Sequence, residues 1–117
     1  MPNKIAYVSF YMRSNTIRIF KNTIRAMGAP KFIRLRIHDR EKTIIIEPYD
    51  RSTFSSFRVP LPLNAAKEGL DIHSKLFIRI VAKLMRWDME RTYRVSGELY
   101  ERQGIVKLDL VRAVKIS

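Results

Sequence analysis

The chain has 117 residues, 46% of them apolar, and no cysteine, so it is long enough for one domain with a real core and excludes a disulfide framework, thiol catalysis and thiolate-bound metal. Its 23 basic and 11 acidic side chains give a net charge of +12, and eight cations run from Lys4 to Arg36 before the first carboxylate, Asp39. No apolar run reaches the roughly 20 residues that span a bilayer, and MPNKIAYVSF lacks the layout of a signal peptide. The expectation is a cytoplasmic protein with no membrane partner.

In chain order, Ile5 to Met12, rich in aromatic and β-branched residues, predicts a strand. The tetrapeptide NTIR follows twice, seven residues apart. Its first copy continues a period of two, with Ile17 and Ile19 flanking Arg18, and predicts a second strand. The second copy opens a short helix, with Asn22 or Thr23 as cap and Gly28 and Pro30 as stop. Too few apolar turns follow for a sustained heptad. Ile33, Leu35 and Ile37 alternate with Arg34, Arg36 and His38, and a DREK turn leads into Thr43–Glu47. That is a hairpin with an apolar and a basic face, whose three isoleucines, 44–46, predict a return strand buried on both sides. Residues 50–56 read as a polar loop. SFRVPLPL reads as extended, because Pro60 and Pro62 forbid helix and permit only an edge strand.

The clearest helix runs from Ser74 to Arg86, capped by Asp71 or Ser74. Leu76, Phe77, Ile80, Val81, Leu84 and Met85 gather on one face and Lys75, Arg79, Lys83 and Arg86 on the other. Trp87 is expected to plug the core beside the helix end. Tyr93, Val95 and Leu99 alternate with polar neighbours, ERQG makes a turn, and Val106, Leu108 and Leu110 line one face of a returning strand within residues 105–116. Ile17-x-Ile19, helix, hairpin thus matches Leu70-x-Ile72, helix, hairpin, at an offset of 53 residues. The fold expected is one α+β domain over residues 1–117, with duplicated strand–helix–hairpin units at about 17–48 and 70–110. Two helices would surround an antiparallel sheet or small barrel. Two equivalent basic surfaces of this kind suit the approximate twofold symmetry of duplex DNA.

Ile17-Arg18-Ile19, Ile24-Arg25-Ala26-Met27-Gly28, Ile33 to Ile37 and Ile44-Ile45-Ile46-Glu47-Pro48 give residues 17–48 a pattern that resembles a known family. It is the SpoVT/AbrB-type (swapped-hairpin) DNA-binding module of bacterial transition-state regulators and antitoxins. The resemblance implies DNA contact through basic residues around the short helix and the strand before it, here Arg18, Lys21 and Arg25. The whole chain is also similar to small proteins carried by bacterial mobile elements, and its repeat resembles the duplicated saddle of TATA-binding-like and sliding-clamp proteins.

The charge points to polyanions. Candidate phosphate contacts are Arg18, Lys21, Arg25, Arg34 and Arg36, which have no acid nearby in sequence, together with Lys75, Arg79, Lys83 and Arg86. The function expected is non-enzymatic binding of nucleic acid, DNA in preference to RNA, as a transcription regulator or mobile-element accessory protein. No cofactor or metal is expected, and a homodimer is left open. Tyr49 and Phe54 are the candidates for stacking on single-stranded bases. The rival readings are an RNA- or single-strand-binding protein, a module docking on an acidic protein, and a small nuclease using His38 and His73.

Overall fold

The computed structural model describes residues 4–60 and 68–117. Among these residues nine strands and two helices follow in the order β1 (Lys4–Tyr11), β2 (Thr16–Phe20), α1 (Lys21–Ala26), β3 (Phe32–His38), β4 (Thr43–Tyr49), β5 (Ser56–Arg58), β6 (Gly69–His73), α2 (Lys75–Met85), β7 (Thr92–Tyr100), β8 (Ile105–Asp109) and β9 (Val114–Lys115). The fold is α+β, as expected. All pairings are antiparallel, and the sheet order β5-β3-β4-β8-β7-β1-β2-β6 makes a nearly closed, barrel-like wall, with β9 beside β7. Strands from the two halves of the chain therefore interleave.

The alternation of side chains explains the wall. Ala6, Val8 and Phe10 of β1, Ile17 and Ile19 of β2, and Val95 and Leu99 of β7 are buried, and their intervening neighbours mostly face out. The same interior receives Ile33, Ile44, Ile46, Val106 and Leu108. Gly97 lets β7 lie close against β8, since a Cβ there would stand 2.3 Å from the Lys107 carbonyl oxygen. Trp87 stacks on Tyr93 at 4.3 Å and meets Phe10 edge-on at 5.4 Å, the plug expected of it.

Several local expectations are corrected. Neither Asn22 nor Thr23 caps α1. Both lie inside the helix, Phe20 occupies the N-cap without a side-chain bond, and Ile24 and Met27 hold the helix to the core. Gly28, at φ 92°, then turns the chain out of it. In α2 the cap is Ser74, whose hydroxyl accepts from the Phe77 N–H at 3.1 Å, while Asp71 lies in β6. The buried face of α2 is set by Ile78 and Val81, leaving Leu76 and Ile80 in solvent. Ile45 is only half-buried, because alternation sends Ile44 and Ile46 inward and Ile45 to the other face. β8 ends at Asp109, whose carboxylate accepts from the Val111 N–H and opens a short 3₁₀ turn, Leu110–Arg112. SFRVPLPL, read as extended with at most an edge strand, forms β5 beside β3 over Ser56–Arg58, and its part from residue 61 onward lies outside the described residues.

Candidate nucleic-acid interface

Arg18 stands on the outer face of β2, opposite Asp71 of β6. Its guanidinium grips both Asp71 oxygens, Nε at 2.7 Å and Nη2 at 2.9 Å, and Nη1 bonds Glu68. It also lies 5.2 Å from the Tyr11 ring centre. These bonds push the arginine's pKa above its ordinary value and hold Asp71 below the usual carboxylate range, in each case against a desolvation cost. Arg34 and Arg36 of β3 share Glu47 of β4, Arg36 at 3.2 Å, and Arg34 also covers the Tyr49 ring at 4.6 Å. The Glu47 bond raises the Arg34 pKa in the same way.

Three of the five first-half candidates, which have no acid nearby in sequence, are thus met by carboxylates in the fold. Glu47 reaches Arg34 and Arg36 across the hairpin. Glu68 and Asp71 reach Arg18 from 50 and 53 residues away. Cross-strand register supplies carboxylates that sequence proximity does not reveal.

The remaining candidates are the two helices. α1 carries Lys21 and Arg25, and α2 carries Lys75, Arg79 and Lys83 one turn apart on its exposed side, with Arg86 at its left-handed C-cap. Among the described residues Lys75, Arg79, Lys83 and Arg86 have no ion-pair partner, and α2 contains no acid. Because β2 and β6 are antiparallel and each runs into its helix, α1 and α2 leave opposite ends of this strand pair.

The helices also share an order of side chains not evident from the NTIR repeat. Aligning the fully buried Ile24 with Ile78 sets KNTIRAM over KLFIRIV, so that Lys21 matches Lys75, Arg25 matches Arg79, and the buried Met27 matches Val81. The shared Lys-x-x-Ile-Arg was present in the sequence and is masked there by the different intervening residues. Two further exposed arginines, which no sequence pattern singles out, lie over aromatic rings: Arg58 is 5.8 Å from the Phe32 ring centre and Arg94 5.7 Å from that of Phe20.

Of the stacking candidates, Phe54 is fully exposed and Tyr49 is occupied by Arg34. His73 Nδ1 is bonded to the Thr16 hydroxyl at 3.1 Å on β6, and His38 lies opposite Thr43 on β3. A groove of about 540 Å³ on the outside of β1, β7 and β8 mixes Glu41, Glu98 and Asp109 with Lys107 and Arg112. Among the described residues no group of three or more His, Asp or Glu is placed to hold a metal ion, and no helix is long and apolar enough to cross a membrane. Compared with known proteins, the chain matches no family model, no curated protein and no solved structure.

Proposed function

We propose that the protein is a non-enzymatic nucleic-acid-binding domain that grips the phosphate backbone of duplex DNA from two ends of one barrel. The observation that carries this is the exposed cation line of α2, Lys75, Arg79, Lys83 and Arg86, with no carboxylate on the helix and none bonded to it among the described residues. Where cations elsewhere serve the fold, carboxylates sit on them, as at Arg18, Arg34 and Arg36. A helix face that keeps four positive charges open to solvent is a receiver for anions in series.

Pairing registers support an internal duplication. Gly97↔Leu108 and Glu98↔Lys107 in the second hairpin repeat Leu35↔Ile46 and Arg36↔Ile45 in the first. In that correspondence Ile45 and Lys107 are counterparts, and they face each other where β4 meets β8. Arg18 and Asp71, counterparts in the 53-residue match, face each other where β2 meets β6. Two such self-pairings are what a pseudo-twofold axis through the barrel requires. It would make Lys21 and Arg25 the partners of Lys75 and Arg79. The order β2–α1–β3–β4 is also the one implied by the AbrB-type resemblance.

Titration of duplex DNA, single-stranded DNA and RNA at two salt concentrations tests the reading. Six phosphate contacts weaken duplex binding about 10³-fold between 50 and 200 mM salt. Replacing Lys75, Arg79 and Lys83 by Glu lowers affinity for all sequences alike and cuts the salt slope by about three. Preference for single strands or RNA transfers the reading to those ligands, and absence of salt-sensitive binding to any of them ends it.

A further inference from the structure

α2 departs from α1 at the solvent positions between its cations. In the alignment that matches Lys21 with Lys75 and Arg25 with Arg79, α1 has Asn22 and Ala26 where α2 has Leu76 and Ile80. Leu76 is 73% exposed and Ile80 44%. Being four residues apart, they form one aliphatic patch on the helix surface, bounded by Lys75, Arg79 and Lys83. Neither is needed to hold the helix, since Ile78 and Val81 are fully buried and Phe77, Leu84 and Met85 pack against the core.

We infer that this face of α2 docks an acidic amphipathic helix of a partner protein. Such a segment lays leucine-like anchors at i, i+3 and i+4 against Leu76 and Ile80, and its flanking carboxylates meet Lys75, Arg79 and Lys83. Charge decides among the occupants. A second copy would bring the same uncompensated cations face to face. Phosphates gain nothing from Leu76 and Ile80, and α1 offers the same Lys–Arg pair without them. A bilayer would receive only two aliphatic side chains, because the rest of the apolar surface of α2 is spent on the core. The patch is small, so the complex is a weak, transient one. If the nucleic-acid reading above holds, the partner and DNA compete for the same three cations, and the partner acts as a displacer. That competition rests on the proposed function; the docking itself does not.

The test uses the full chain and four probes. They are a labelled peptide of about five helical turns with leucines on one face and glutamates elsewhere, a scramble of the same composition, a duplex of about two turns, and phosphatidylcholine vesicles containing phosphatidylserine. The patterned peptide binds at least about tenfold tighter than the scramble. The double variant Leu76→Ser, Ile80→Ser, altered only at exposed positions, erases that preference while its melting temperature and duplex affinity stay unchanged. Equal binding of the two peptides overturns the proposal. Loss of duplex affinity in the double variant also overturns it, because the aliphatic pair would then contact bases, and vesicle binding that depends on the pair in the absence of peptide preference assigns the face to lipid instead. A wild-type chain that ignores the duplex at low salt but keeps the peptide preference removes only the nucleic-acid reading.

Discussion

At the scale of single residues, Arg18 and Asp71 show how a cation on the outer face of a strand can be held by the fold itself. The pair sits at the centre of the β2–β6 seam, and its two charge-assisted bonds join strands from the two halves of the chain. Asp71→Asn keeps the side chain's shape and removes its charge. The expected loss is about 1 kcal/mol at neutral pH, below the roughly 1.5–3 kcal/mol of bonds to an ionised group, because both partners are partly exposed and screened. Urea unfolding measures it. The effect also has a definite pH dependence. Asp71 is depressed below its ordinary 3.8, chiefly by the Arg18 hydrogen bond. Its stabilisation is therefore fully present above that value and is lost as pH falls through the lower folded-state value. The unfolding curves of wild type and Asp71→Asn converge in acid; a gap that stays constant down to about pH 2 would show that the ionised pair contributes nothing.

At the scale of elements, the two helices are held in different ways. α1 has six residues, no side-chain cap and no acid in its first turn, so it exists because Ile24 and Met27 are buried. α2 has eleven residues and a hydroxyl cap at Ser74. Ser74→Ala should cost about 1 kcal/mol in thermal or urea unfolding, and no corresponding loss follows from Phe20→Ala through capping, since Phe20 makes no such bond. Strands were legible in the sequence wherever one face is apolar and the other charged, as in Ile33–Ile37 and Tyr93–Leu99, because a period of two has only one way to face a core. The buried face of α2 was not. KLFIRIVAKLM is apolar around most of its circumference, so periodicity alone allows both a Leu76–Ile80 face and an Ile78–Val81 face, and tertiary packing chose the second. The site was legible to the same degree. The cation line Lys75, Arg79, Lys83 follows from spacing within one helix. The neutralisation of Arg18 depends on a strand pairing 53 residues away, for which no local pattern exists.

At the scale of the whole molecule, the sheet order says that the two halves need each other. β1 joins β7 along eight residue pairs, from Lys4↔Leu99 to Tyr11↔Thr92, β2 joins β6, and β4 joins β8. Residues 1–60 alone would keep only the β1–β2 and β5–β3–β4 pairings, with no strand pairing between the two pieces among the described residues. Residues 68–117 alone would keep β7 with β8 and β9, and an orphaned β6. Small pieces of sheet without a partner face are marginal in water, and splitting the chain separates residues that share one interior, Val8 and Ile46 in one fragment from Val95 and Val106 in the other. Fragments 1–60 and 68–117, made separately, should therefore show no cooperative thermal transition. Mixed in equal amounts they should assemble one to one and recover the far-ultraviolet circular dichroism and the melting transition of the intact chain. Assembly should be slow, in the millisecond-to-second range or beyond, because the strand pairs that join the halves, β1–β7, β2–β6 and β4–β8, are all distant in sequence. The charged helices answer to the same logic. α1 comes from one fragment and α2 from the other, and only the joined β2–β6 pair fixes them at opposite ends of a common frame. Either fragment alone is then expected to bind duplex DNA with a shallower salt dependence than the mixture, whose slope returns to that of the whole chain. A fragment that melts cooperatively by itself would mean that one half is a domain and that the interleaved sheet is not what holds the molecule together.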